Sequence, residues 1–206
     1  MEILRRSFIA FAMLLSSVTS FSQSIDVLQN AFSKSYEAEN SKNYNSAISE
    51  LKGVYKAGDY VMNIRLGWLN YMSKQYTESV AYYEKAIKLS PYAIEARFGC
   101  VKPLSAIEDW EGVKKQYLEI LNIDPQNTIA SYWLGLIYFN RKDYINASKL
   151  FEKVVNLYPL DYDSVIMLGW SKLNSSKPTE AKVLFQQALI IRPYDESALS
   201  GLKLIP

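Results

Sequence analysis

The chain has 206 residues, a formal net charge of +2 and 49% apolar residues, with 16 tyrosines; it can bury a sizeable core and is too apolar to stay disordered by composition. It holds no histidine and a single cysteine, Cys100, which excludes serine–histidine and cysteine–histidine catalysis, histidine-held metals, zinc sets and an internal disulfide. Both signs of charge are spread along the chain without a basic block, so its electrostatics offer nothing to nucleic acid.

The first residues read as an export signal. Arg5 and Arg6 form a positive start, Phe8 to Leu15 is an apolar run too short to span a bilayer comfortably, and Ser20-Phe21-Ser22 places small residues where a signal peptidase reads. The pattern predicts a signal peptide over 1–22, cleaved after Ser22, with an uncleaved membrane anchor as the alternative. No cysteine lies there to carry a lipid. Export without cysteine pairs points to a bacterial envelope, most simply the periplasm, rather than to a eukaryotic secretory route.

From residue 28 onward the chain reads as alternating amphipathic helices. The stretch 28-LQNAFSKSYEAENSKNYNSAISELKGVYKAGD-59 carries Tyr44, Ala47, Leu51 and Val54 on one helical face. Next, Val61, Ile64, Leu66, Trp68, Leu69 and Met72 mark a helix, and Tyr76, Val80, Tyr83, Ala86, Ile87 and Leu89 mark its successor. Polar turns such as 73-SKQ-75 and 141-RKD-143 separate such pairs. Lys42, Lys74 and Lys142 are expected at the ends of first helices, where a cation complements the helix dipole.

These elements recur on a fixed clock. Pro91, Pro125, Pro159 and Pro193 are spaced by 34 residues, as are Tyr83, Tyr117, Phe151 and Phe185. Ala86, Ile120, Val154 and Ala188 keep the same period; so do Gly67, Gly135 and Gly169, with Val101 in the glycine slot of the irregular unit. Tyr76, Trp110 and Tyr144 open second helices. Two helices cannot close a core alone, so each pair must stack on the next. A proline cannot continue a helix and pushes the residue before it toward extended geometry, which fixes each handover. Pro103 inside a helix predicts a kink at the carbonyl of Gly99, and Pro178 falls in a first turn, where proline is tolerated.

The segments 66-LGWLNYMSKQYTESVAYYEKAIKLSP-91 and 134-LGLIYFNRKDYINASKLFEKVVNLYP-159 resemble the tetratricopeptide repeat family: a small residue in the first helix, an aromatic opening the second, an aromatic–x–x–Ala/Val step and a closing proline. The resemblance implies an all-α fold, an α-solenoid of about five stacked helix–turn–helix units with a short capping helix. The expected divisions are a divergent first unit at 23–59, four units at 60–93, 94–127, 128–161 and 162–195, and a cap at 196–206.

In that family the first helices line a concave wall that receives an extended peptide or a helix. The corresponding positions here are Val61, Ile64, Trp68 and Tyr71; Glu95, Phe98, Lys102 and Ser105; Ile129, Tyr132, Leu136 and Phe139; and Asp163, Ile166, Trp170 and Leu173, with Phe32 and Tyr36 from the first unit. Their apolar members, Ile64, Trp68, Tyr71, Phe98, Tyr132, Leu136, Phe139, Ile166, Trp170 and Leu173, form the expected partner-binding set. Lys102 is the lone cation among the wall positions, so this groove departs from those that clamp a carboxylate. Helices such as 132-YWLGLIYF-139 are apolar on nearly every side, and an uncovered apolar face marks a partner site, unless the rings simply pack on one another.

The expected function is therefore a non-enzymatic scaffold or adaptor, with a protein or peptide partner in the cell envelope. No cofactor, metal or small-molecule substrate is expected. A membrane-anchored structural subunit, self-association through the groove, and an enzyme working through Glu95, Glu108, Asp109 and Glu111 are the competing readings.

Overall fold

The computed structural model describes residues 25–205, which are helical throughout, with no strand among them. The expected signal peptide lies outside the described residues. The helices are α1 (25–40), α2 (Tyr44–Lys52), α3 (Tyr60–Met72), α4 (Tyr76–Leu89), α5 (Ile94–Ala106), α6 (Trp110–Ile123), α7 (Thr128–Asn140), α8 (Tyr144–Leu157), α9 (Tyr162–Asn174), α10 (Pro178–Ile191) and α11 (Glu196–Lys203). None of the described helices is long and apolar enough to cross a membrane. The all-α repeat fold expected from the period is the fold observed.

The chain divides into two compact bodies between Ile107 and Glu108. In the N-terminal body α3 packs on α2, α4 and α5, and α4 packs on α5. In the C-terminal body α9 packs on α7, α8, α10 and α11. There the first helices α7, α9 and α11 touch in sequence, whereas α8 makes no comparable contact with α6 or α10. First helices thus form a tight layer and second helices a looser one.

Helix starts follow from short polar side chains. Asn43, Asp59, Asp109, Asn127, Asp143, Asp161 and Asp195 each accept a hydrogen bond from the backbone N–H three residues on. Each such cap contributes about 1 kcal/mol. Pro178 occupies the first turn of α10, as expected. At the other end of each repeat, Pro91, Pro125, Pro159 and Pro193 sit second in turns closed by Ala93 N–H to Ser90 O, Asn127 to Asp124, Asp161 to Tyr158 and Asp195 to Arg192. Proline fixes the φ that this turn position needs. The first repeat lacks that proline; its handover is held by Asn63, which donates to Ala57 O and Asp59 O and accepts from the Tyr55 hydroxyl.

One expectation is corrected in detail. Lys42, Lys74 and Lys142 lie beyond their helices, in left-handed geometry at φ 60°, 64° and 63°. They close the turn: the next residue's N–H reaches back to Ala38 O, Asn70 O and Tyr138 O, a helix-ending arrangement that usually takes glycine. Pro103 lies buried inside α5, as expected, and the helix runs on to Ala106.

The recurring ring fills the space beside glycine. A Cβ on Gly135 would lie 2.8 Å from Phe151 Cε1, and one on Gly67 or Gly169 would lie 2.9 Å from Tyr83 or Phe185. The same rings also press on the next first helix: Tyr83 against Gly99, and Phe185 against Gly201. Phe151, Phe185, Leu51, Met62, Leu66 and Leu69 are fully buried. Cys100, which forms no disulfide among the described residues, is buried as a small core residue of the N-terminal body.

Candidate peptide-binding surface

On the first helices of the N-terminal body the wall is a connected polar and aromatic network. Glu39 on α1 accepts from Trp68 Nε1–H at 2.5 Å through Oε1 and meets Arg65 at 2.5 Å through Oε2. The Arg65 guanidinium lies 3.9 Å above the Tyr36 ring, and Lys102 sits 4.8 Å above Trp68. Trp68, Tyr71 and Tyr76 pack ring to ring, each step 5.9 Å between centroids. Ile64, Trp68, Tyr71 and Phe98 are half-buried; Val61 and Tyr36 are exposed. Arg65 is a cation the wall register passed over, because a charged residue at helical spacing reads as solvated; here it is buried and paired.

The wall of the C-terminal body is built from rings and aliphatics. Tyr132 packs on Phe151 at 5.8 Å, Phe139 on Tyr144 at 5.2 Å and Trp170 on Phe185 at 5.2 Å. Trp170 Nε1–H also donates to Ser197 Oγ at 2.9 Å. Tyr132, Leu136, Phe139, Trp170 and Leu173 keep part of their surface open. Ile166 does not: it is 7% exposed and belongs to the core around Val165 and Phe185. It supports the wall from within the core.

At one end of this second wall is an open cavity of about 640 Å³. Ile129, Tyr132 and Trp133 of α7 form one side, Leu157 to Leu160 the other, and Asp161 and Asp163 at the start of α9 the rim. Ile129, Trp133, Leu157, Tyr158 and Leu160 are all exposed. Burial raises the Tyr132 phenol above its ordinary value, and the charges of Asp163 and Asp161 add to the rise. Trp133 and Leu160 lie outside the expected set; no sequence period distinguishes them from loop and rim residues.

Three of the four acidic residues offered for catalysis have structural roles. Glu95 accepts from the Tyr60 hydroxyl at 2.8 Å, Asp109 caps α6, and Glu111 bridges Lys114 and Arg141. Among the described residues no group of acidic or cysteine side chains could hold a metal.

Two stretches, 61–92 and 130–159, match the tetratricopeptide repeat family. Among solved structures the chain is similar to MamA protein at 18% identity and a TM-score of 0.70, covering 88% of this chain and 99% of that one. A tetratricopeptide repeat protein from Parabacteroides merdae aligns at 18% identity and a TM-score of 0.72, covering 85% and 71%. YrrB, described as a tetratricopeptide protein with an unusual peptide-binding site, aligns at 15% identity and 0.68, covering 84% and 91%. A curated relative, the RNA polymerase-associated protein CTR9 of Caenorhabditis elegans, is 24% identical over 136 residues. That match takes in 63% of this chain and 12% of the relative's length.

Proposed function

We propose that the chain is a protein-interaction scaffold that takes an extended peptide or a helix of a partner along the walls made by its first helices. The observation that carries this is α7. Its sequence is apolar on nearly all sides, yet only Ala130, Ser131, Leu134 and Gly135 are buried, leaving Ile129 and Trp133 exposed and Tyr132, Leu136 and Phe139 part open. Uncovered apolar surface of this kind suits a partner, and Trp and Tyr are efficient anchors once covered. The tetratricopeptide matches and the peptide-binding description of YrrB support the same reading. The partner-facing set is Ile64, Trp68, Tyr71 and Phe98 on one wall and Tyr132, Leu136, Phe139, Trp170 and Leu173 on the other.

A photo-crosslinking residue placed in the native cell tests it. Exposed Val61 and Ile129 on the walls are compared with exposed Val183 and Ile190 on α10, a second helix. Discrete crosslinked partners are expected from the wall positions and not from α10; equal yields from both would sink the reading.

We further propose that the partner is a cell-envelope protein and that the chain reaches the envelope by cleavage after Ser22. The support is the run Arg5, Arg6, Phe8–Leu15 and Ser20–Ser22. Mass spectrometry of the chain from its native cell would then find Gln23 at the N-terminus. Retention of residues 1–22 would favour a membrane-anchored subunit instead.

A further inference from the structure

The junctions between successive first helices are closed in two places and open in a third. Tyr60 opens α3, and its hydroxyl donates to Glu95 Oε1 across the junction with α5 at 2.8 Å. Tyr162 opens α9 and faces Asp195 at the start of α11. There the Arg192 guanidinium also covers the tyrosine ring, 3.7 Å from its centroid. In the same register α7 opens with Thr128, whose short side chain cannot span to α9. The carboxylates are nonetheless present: Asp163 stands where Glu95 stands, 35 residues after the helix-opening position, and Asp161 where Asp195 stands, 33 after. The cavity of about 640 Å³ between α7 and α9 lies at this missing tyrosine.

Its lining combines apolar walls with negative charge and holds no lysine or arginine. Trp133 and Leu160 are 49% and 77% exposed. Asp161 Oδ2 caps α9 by accepting from Ser164 N–H at 3.1 Å. Asp163 is exposed and makes no hydrogen bond or salt bridge within the described residues. The volume is that of a small ligand site, large enough for one bulky side chain with its flanking backbone.

We propose that this cavity anchors an aliphatic or aromatic side chain of the partner peptide, with a lysine or arginine one or two residues away pairing with Asp163. The inference rests on the reading of the chain as a peptide-binding scaffold and names the chemistry that the C-terminal body selects. The apolar side chain supplies affinity by covering Trp133 and Leu160. The cation supplies direction and discrimination, because a carboxylate in its place would face two like charges.

The test uses the full chain and matched pairs of short fluorescein-labelled synthetic peptides. Each has one leucine or tryptophan, followed within two residues by either lysine or glutamate, and binding is read by fluorescence polarisation. The wild-type chain is expected to prefer the lysine member by about tenfold or more. Thr128→Tyr should weaken that peptide by about tenfold without lowering the melting temperature, because it restores the side chain that closes the other junctions. Asp163→Lys, at an exposed position, should reverse the preference. Val183→Glu, at an exposed position on the second helix α10 and off both walls, should leave the preference intact. Equal binding of both members, no binding of either, or a preference that survives both Thr128→Tyr and Asp163→Lys would overturn the anchor. Indifference to both Thr128→Tyr and Asp163→Lys, with discrete crosslinks still obtained at Val61 and Ile129, would overturn the anchor alone and leave the wall reading standing. Absence of peptide binding together with failed crosslinking at Val61 and Ile129 would remove both.

Discussion

The first-helix walls of the two bodies share a register and differ in chemistry. In the N-terminal body the wall is tied down: one carboxylate, Glu39, holds both Arg65 and the Trp68 indole, a tyrosine lies under the arginine, and Tyr60 bonds Glu95. In the C-terminal body the wall is ring on ring, and the junction behind Thr128 is open. The difference teaches that the period sets the backbone, while single side chains at repeated positions decide whether a junction is sealed or left to receive something. A sealed junction stores its polar contacts internally; an open one leaves carboxylates and apolar surface for another molecule.

The largest effect expected is at the rings both walls rest on. Phe185→Ala should cost the C-terminal body about 3–5 kcal/mol, since the ring is fully buried between Gly169 and Gly201; urea denaturation followed by circular dichroism measures it. If the loss were near 1 kcal/mol, the ring would be filler rather than the support of the wall. Next, Glu39→Ala should destabilise the N-terminal body by about 2–3 kcal/mol, because Arg65 stays largely buried without its partner. Trp170→Phe, which removes the bond to Ser197 and the outer part of the indole from the other wall, should cost about 1–2 kcal/mol. Near-equal losses in the two denaturation curves would erase the contrast between a polar and an apolar wall.

A smaller effect concerns pH and the C-terminal body alone. Hydrogen bonds from Lys172 and then Lys177 hold the Glu180 carboxyl below its ordinary value of 4.5. The unfolded chain therefore binds that proton more readily. The stabilisation is present above about pH 4.5 and is lost as pH falls through the lower folded value. Burial opposes the charge on Lys172, but the hydrogen bond of Glu180 and the charge of Glu152 outweigh it and raise the ammonium above 10.5. Its share is complete below 10.5 and disappears as pH rises through the folded value. Lys172→Met should flatten the fall in melting temperature between about pH 5 and pH 3; an unchanged slope would mean that the cluster does not respond to acid. The smallest change expected is a gain: Lys74→Gly relieves a left-handed backbone at φ 64° and should stabilise by roughly 0.5–1 kcal/mol in a thermal melt.

Much of the fold was legible because a period constrains many residues at once. The prolines, the buried rings and the first-helix glycines keep a common clock, and each proved to have one geometric reason for it. What escaped notice falls off the clock. Gly99 lies two residues before the slot held by Val101, because the ring of one repeat meets the next first helix at a different height from its own. Arg65 escaped because residue type argues for solvent, while its burial depends on Glu39, 26 residues away. The candidate site was legible only in part. The aromatics at the wall positions are half-buried, whereas Ile166 lies in the core around Val165 and Phe185. The open junction shows in sequence as one substitution, Thr128 in the register of Tyr60 and Tyr162. That substitution acquires meaning only once those tyrosines are seen reaching their carboxylates.

The rings held between glycines also bear on how each body comes apart. Phe185 packs on α9 of its own repeat and on α11 beyond it; Tyr83 packs on α3 and on α5. One side chain thus carries both the intrinsic energy of its hairpin and the coupling to the neighbour. In a nearest-neighbour description of repeats this makes the lone hairpin weak and the coupling strong. Partial unravelling within a body exposes a ring without sparing the hairpin that owns it. Each body should accordingly melt in a single cooperative step, with hydrogen-exchange protection nearly uniform across its buried amides.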